Sequence, residues 1–448
     1  MNETLVESVK IALGIMERTQ VEGDIYGVVQ QAAAYSIQKG HIGDSSETEE
    51  MGLGIRILRG DAVGFGYCVP GKEEEGVKRA FELSKVSPAL TIDLPSPEKV
   101  STVPVCDQKI RGTIEDGTGA DFVHMMIEGA TSVKADILAA RGELLMTAAS
   151  RVIANTQGIF FQEDSTVVSC GVHTIIPGSG TSLTAREIRS SRQFDIDFHD
   201  VGREAGRKVL SMREKSHAAE DTYPVILSPD VLAPLLWFSV VPSLLGEHVR
   251  KGRSVYQGEG GNRIASGKLT ITDNPTLPWG LGSGGVDDEG VSSSKISVIA
   301  DGVLTTLLYD LKDSAQSSTE PTGNGIRADF KTPPETKDRN IIVKGEEHKR
   351  ETLVEDKGLY VDKVMGVHTA NPVSGDFSVV AAPALLLEHG EVTGRVDSVM
   401  LSGNTPEVLK KVELANDYKG IYFAMGSRKI FAMYVPTALS TDIIVSRG

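Results

Sequence analysis

Nine histidines and three cysteines are the residues of this chain best suited to gripping a transition metal, and their spacing does not gather them. A zinc hydrolase needs two or three imidazole, thiolate or carboxylate ligands converging on one ion. Two of them commonly share a helix face, and a base serves the bound water. His41, His124, His173, His199, His217, His248, His348, His368 and His389 contain no pair close enough to occupy neighbouring turns of a helix. Glu247-His248, Glu347-His348 and Glu388-His389 set a carboxylate beside an imidazole, but adjacent residues on regular structure point apart. Cys68, Cys106 and Cys170 are odd in number and far apart, which argues against a disulfide framework or a paired-cysteine zinc site and for reduced thiols in the core. No G-x-S-x-G elbow is present, and none of the cysteines has a recognisable catalytic context. No catalytic residue, cofactor-binding residue or metal ligand is therefore assigned on this chain.

Glycine-rich stretches give no nucleotide site either. Gly280, Gly282 and Gly285 match G-x-G-x-x-G, but Pro275, Pro278 and Trp279 precede them and Asp287-Asp288-Glu289 follows. A dinucleotide loop requires a strand before and a helix after, and the acids would repel pyrophosphate, so a flexible loop is expected. Gly261 to Lys268 misses a phosphate-binding loop by one residue of glycine spacing and by Leu269 where a hydroxyl is needed. Asp287, Asp288 and Glu289 lack the ligand spacing of a calcium loop, so a solvated acidic loop is expected.

The chain has 448 residues, a length suited to two large domains. Its net charge is −15, with 61 acidic against 46 basic residues, and no lysine or arginine run offsets this. Nucleic acid and anionic membranes are excluded as partners on that ground. The first residues, MNETLVESVK, lack the basic and apolar regions of an export signal, and Val225 to Leu245 is interrupted by Pro229, Asp230, Pro234 and Pro242. A cytoplasmic location is expected.

The expected fold class is α+β. An N-terminal domain, residues 1–214, should hold a sheet with packed helices; a C-terminal domain, 222–448, should be largely antiparallel β with one buried helix. Leu5, Val9, Ala12, Leu13 and Met16 predict a first helix ending near Thr19. Strands are predicted within 24–38, at 52–58 and 63–69 around an Arg59-Gly60-Asp61 turn, and at 151–154, 158–162 and 165–172. Helices are predicted at 73–83, between 121 and 138, and at 201–210 capped by Asp197 or Asp200, with a loop over 88–104. The polar stretch 215–221 reads as a linker. Tyr223 to Leu227 reads as a strand, and Ser228-Pro229-Asp230 as the start of an apolar helix running to Leu245 and buried on all sides. Asp301-Gly302 and His389-Gly390 read as two-residue hairpin turns, the latter between 378–387 and 392–401; Thr405 before Pro406 reads as a cap, and 422–434 as a closing pair of strands.

Ordered motifs through nearly the whole chain carry a resemblance. They include Asp273-Asn274-Pro275-Thr276-Leu277-Pro278 leading to Gly280-Leu281-Gly282-Ser283, then Asp287-Asp288-Glu289-Gly290-Val291 and Asp301-Gly302-Val303-Leu304. Ser318-Thr319, Thr322-Gly323-Asn324 and Asn371-Pro372-Val373-Ser374-Gly375-Asp376-Phe377-Ser378 follow; Gly52 to Arg56, Val63 to Phe65 and Asn155 to Gly158 agree in the first half. In these the chain resembles the PmbA (TldE-type) branch of the TldD/PmbA family, also called modulators of DNA gyrase. The resemblance implies that the TldD branch carries a zinc site, His-Glu-x-x-x-His on a buried helix plus a cysteine near the carboxyl end, and that the PmbA branch lacks it and pairs with TldD. Anchored on Arg250-Lys251-Gly252 and Ser254-Val255, the metal motif falls on Trp237 to Pro242, where Trp237, Phe238 and Pro242 cannot ligate zinc or act as a base; no cysteine follows Cys170.

The function implied is a non-catalytic subunit completing a TldD-type zinc protease, with the zinc on the partner and an unfolded or extended peptide as substrate, bound by strand addition. Asp287, Asp288, Glu289, Asn324, Asn371, Pro372, Asp376 and Phe377 are the candidates for lining the chamber or the dimer interface. The alternatives are a peptidase in its own right with scattered metal ligands, and a peptide-binding homodimer.

Overall fold

Leu5, Val9, Ala12 and Met16 return to one face at helical spacing, and Asn2 caps the run by accepting a hydrogen bond from the Leu5 amide. In the computed structural model this run is α1 (Glu3–Arg18). The structure describes residues 2–178, 182–215, 224–345, 347–353, 357–425 and 428–447. After α1 come β1 (Glu22–Gln38), β2 (His41–Arg59), β3 (Ala62–Cys68), α2 (Glu73–Ser84), α3 (Gln108–Asp116), α4 (Gly119–Ser132), β4 (Leu138–Asn155), β5 (Phe160–Ile176), β6 (Leu183–Ser191) and α5 (Phe198–Ser211).

The six strands form one antiparallel sheet in the order β3-β2-β1-β4-β5-β6. Alternation along the strands gives it two unlike faces. Ile25, Val29, Ala33, Tyr35 and Ile37 of β1 are buried under helices, whereas Tyr26, Val28 and Gln30 turn to the helix-free face and are less covered. Helices α1 and α2 cover one end of the coated face, over Ile55, Ile57 and Val152; α3, α4 and α5 cover the other, over Leu144 and Met146. Helices α4 and α5 touch backbone to backbone, because a Cβ on Gly129 would overlap the His199 carbonyl and one on Gly202 the Met126 carbonyl.

From residue 225 onward the described strands form a six-stranded, a seven-stranded and a four-stranded sheet and one two-stranded pair, around a separate core. Pairing is mostly antiparallel, with parallel pairs where Val225–Leu227 meets Lys357–Val361, Ile341–Lys344 meets Arg428–Val435, and Glu347–His348 meets Glu413–Ala415. The fold is α+β, as expected. Both two-residue hairpins form as read: Asp301 and Gly302 have φ of 47° and 79°, His389 and Gly390 of 53° and 78°.

Several expectations need correction. Strands β2, β4 and β5 are far longer than the predicted fragments, since pairing with neighbours carries the polar stretch His41 to Glu50 and the alanine-rich start of β4 into the sheet. The helix predicted between 121 and 138 ends at Ser132, and α3, capped by Asp107, was missed. The apolar helix from Pro229 stops at Ser239, because Pro242 has no N–H and its ring would meet the carbonyl four residues back; a 3-10 turn, Val241–Leu244, follows. The stretches 378–387 and 392–401 are not two strands but four. Asp376–Ala381 pairs with Val399–Asn404 in one sheet, and Ala384–Glu388 with Glu391–Val396 in another. Asn404, not Thr405, caps the late helix, accepting from the Glu407 amide. Of the predicted linker only Lys215 is described; 216–221 lie outside the described residues, as does Tyr223 of the predicted strand, which begins at Val225.

Candidate functional site

The segment where the resemblance places the metal motif is helix α6 (Pro229–Ser239) with the turn after it. Pro229 sits at its first position, and the Ser228 carbonyl accepts from the Val231 and Leu232 amides at 3.0 and 2.9 Å. Val231, Leu232, Leu235 and Leu236 are buried in the second core. Trp237 and Phe238 are half-buried and stack edge to face, with centroids 4.8 Å apart, and Trp237 Nε1 donates to Asp338 Oδ1 at 3.1 Å. Ser239 Oγ donates to the Leu235 carbonyl and accepts from Thr405 Oγ1 at 3.0 Å, so this hydroxyl is spent on structure. The expectation of burial on all sides is corrected here: Pro234 and Phe238 face a cavity of about 430 Å³.

This cavity lies where the two halves meet. Ile188 and Ser190 of β6 line one side, and Ile421, Tyr422 and Phe423 of the strand Lys419–Met425 the other. A second hollow of about 330 Å³ over β4 and β5 shares Ile188, Tyr422 and Phe423 with it, making one groove across the helix-free face. His368 borders the first hollow and His173 the second. Among the described residues no three His, Cys, Asp or Glu side chains stand close enough to hold one metal ion. Cys68 and Cys170 are buried, and burial pushes both thiols up to about 12.

The acidic loop expected to be solvated is instead among the least exposed parts of the molecule. Asp287, Asp288 and Glu289 are 0%, 6% and 1% exposed, and they fasten the second half to the sheet. Glu289 accepts from Arg56 at 2.6 Å, and Arg56 also pairs with Asp24 at 2.6 Å. Arg151 pairs with Asp288 at 2.7 Å and Glu163 at 2.6 Å, while Arg327 of the second half reaches Asp24 at 3.0 Å. Asp287 accepts the amides of Glu289, Val291 and Gly325. Burial, with Glu289 nearby, pushes Asp287 up to about 7, and the same two causes with Asp313 push Asp310 up to about 8. The two asides in charge balance are Arg56 and Arg151, whose carboxylate partners outweigh their burial and raise them further.

The glycine motif expected to be flexible is likewise packed. Arg192 donates to the carbonyls of Gly280, Leu281 and Ser283, and a Cβ on Gly282 would overlap the Arg339 carbonyl. Asn324 joins the same network, donating to Asp273 at 2.6 Å and to the Lys337 carbonyl. Asn371, Pro372, Asp376 and Phe377 do not join it. Asn371 and Asp376 are exposed, Phe377 belongs to the second core, and the Pro372 carbonyl accepts from Ser243 just beyond α6. The predicted loop residues thus fall into two separate places. What was missed is the set of buried arginines and the basic residues beside the groove; strand register, which a single chain does not display, is what groups them.

Solved structures share this fold throughout. The chain superposes on TldE from Thermococcus kodakarensis with a TM-score of 0.89 and 22% identity, covering 98% of this chain and 100% of that one. A chain from Thermotoga maritima described as a modulator of a DNA gyrase gives 0.87 at 21% identity, with the same coverage. Among relatives, a protein named metalloprotease from Methanothermobacter thermautotrophicus is 23% identical over 444 residues, 92% of each chain, and a metalloprotease TldD homolog from Haemophilus influenzae is 23% identical over 430 residues, 92% of this chain and 89% of that one. These likenesses show the fold, and the relatives carry metalloprotease names. The models of the PmbA/TldA metallopeptidase C-terminal domain, domain 1 and central domain match residues 220–447, 23–86 and 112–213. The chain belongs to the PmbA/TldD family.

Proposed function

We propose that this chain is the non-catalytic, TldE-type member of a TldD-type zinc metalloprotease complex that acts on unfolded or extended peptides. The observation that supports it most is the content of α6 and its turn. Indole, phenyl and pyrrolidine groups of Trp237, Phe238 and Pro242 occupy the places the resemblance gives to metal ligands and base, and none of these groups can ligate zinc or act as a base. Zinc belongs, on this reading, to the partner. Domains at 1–214 and 222–448 and a cytoplasmic location are part of the same reading; no helix among the described residues is long and apolar enough to cross a membrane.

Co-expression with a TldD-type protein, followed by light scattering, metal analysis and a peptide-cleavage assay, tests it. A mixed dimer with zinc lost on mutating the partner's histidines is the expected result. Stoichiometric zinc and cleavage by the isolated chain would establish a peptidase in its own right, and persistent homodimers in the presence of the partner would leave only peptide binding.

A further inference from the structure

The helix-free face of the first sheet carries a row of basic side chains at the groove. Register sets Arg141 of β4 opposite His173 of β5, and His173 opposite Arg186 of β6. The charge of Lys363, from the second half, acts on His173, and Arg186 acts in turn on Lys363. The two arginines flank the imidazole on either side, and a cation beside a histidine disfavours its protonated form. No ion pair or side-chain hydrogen bond involves Arg141, His173, Arg186 or Lys363 among the described residues.

Three nearby acids are committed elsewhere. Glu187 and Asp362 both pair with Lys208 at 2.9 Å, and Asp230 with Lys419 at 2.9 Å. Glu143 shares the face and lines the hollow, but it is not within ion-pair distance of these cations. Partial burial and then the charges of Arg186, Lys363 and Arg141 hold His173 below the usual imidazole range; burial and Arg186 do the same to Lys363 within the ammonium range. In a chain with a net charge of −15, Arg141 and Arg186 are cations without an ion-pair partner among the described residues.

From the basic row the groove continues past Ile188 to an apolar stretch walled by Phe238, Val367 and Ile421. Two end strands, β6 and Lys419–Met425, approach one another across it. A ligand that fits has an elongated apolar body and a carboxylate at one end. We infer that the groove binds an extended peptide by its carboxylate, with Arg141 and Arg186 holding the anionic group and the apolar stretch taking the side chains that precede it. The identity of the ligand as a peptide rests on the function proposed above; the demand for an anion rests on the row alone.

The test uses the full chain, alone and with a TldD-type partner, and a fluorescein-labelled octapeptide of alanine, leucine and threonine in three forms: free acid, C-terminal amide, and amide with one internal glutamate. Anisotropy should show the free acid binding at least about 10-fold more tightly than the amide, as loss of charge-assisted hydrogen bonds predicts. The glutamate form tells a terminal carboxylate from a side-chain one. Arg186→Gln should abolish the difference between acid and amide, and Arg186→Lys should retain part of it. His173, followed by NMR, should take up its proton at higher pH when the acid binds, and that ligand-induced rise should shrink in Arg186→Gln, a response that a merely structural arginine would not give. Equal binding of acid and amide, or no binding of any form in either setting, would overturn the inference. So would loss of acid binding when the partner joins, since that outcome gives the cations to carboxylates of the partner. Mixed-dimer formation and zinc content are read separately, so failure here leaves the proposed function standing and failure there leaves this site standing.

Discussion

Arg56 and Arg151, at one end of the helix-free face, each meet two carboxylates, whereas Arg141, His173 and Arg186, at the other end, meet none among the described residues. The paired end is sealed under the second half and the unpaired end opens into the groove. Burying an ion is costly unless its partners are well placed, so the sealed end needs every charge matched. The open end is relieved by water, and it can keep an imbalance for a ligand to correct. Matched charges here join two parts of one chain; unmatched ones wait for another molecule.

The comparison breaks most severely at its buried end. Arg56→Met should cost about 3–5 kcal/mol of stability in urea unfolding, because Asp24 loses one of its two cations and Glu289 loses its one cation among the described residues, both deep inside. A wild-type midpoint would show that these pairs do not hold the halves together. Gly52→Ala comes next. Its new Cβ would overlap the Phe330 ring, which the second half lays on β2, and about 1–3 kcal/mol should be lost by the same measurement.

A pH scan separates the ends without mutation. Asp287 and Asp310 titrate at about 7 and about 8 when folded, above the unfolded value near 3.9, so the folded state binds more protons across that interval. Their contribution to stability is therefore fully present below about pH 4 and is lost as pH rises through about 7 to 8. Melting temperature should fall from about pH 4 to about pH 8 and level off above, and Asp310→Asn should flatten the fall. A rise with pH instead would mean that the arginines keep both carboxyls ionised. The smallest effect, of opposite sign, belongs to the open end. Arg186→Gln should leave the ligand-free melting temperature unchanged or higher, by on the order of 1 °C, since it removes repulsion and no partner.

Much of the local structure was legible because it depends on local chemistry. Helix α1 and both two-residue hairpins follow from spacing and positive-φ residues, and capping narrowed the start of α5 to Asp197 or Asp200, of which Asp197 is the cap. The length of β2 was not, since Asp44 to Glu50 has no apolar alternation and is a strand only because β1 offers pairing partners. The acidic triplet misled for a related reason: Asp287-Asp288-Glu289 looks solvated until Arg56 and Arg151, far away in sequence, are folded against it. Gly280 to Gly285 looked mobile for want of knowing Arg192. The site shows the same division. The apolar content of α6 was readable residue by residue, but the groove needs β6 beside Lys419–Met425, and the basic row needs the register of β4, β5 and β6.

The strand Val225–Leu227 lies between Lys357–Val361 and Ala438–Ser440. Its two flanks are therefore made long after it emerges from a ribosome. During synthesis the first sheet can close on its helices alone, while Arg56 and Arg151 stay wet until the late segments arrive to cover them. Interrupted translation should leave a compact, helix-backed body with an uncovered charged face, a species for chaperones to hold and proteases to clear.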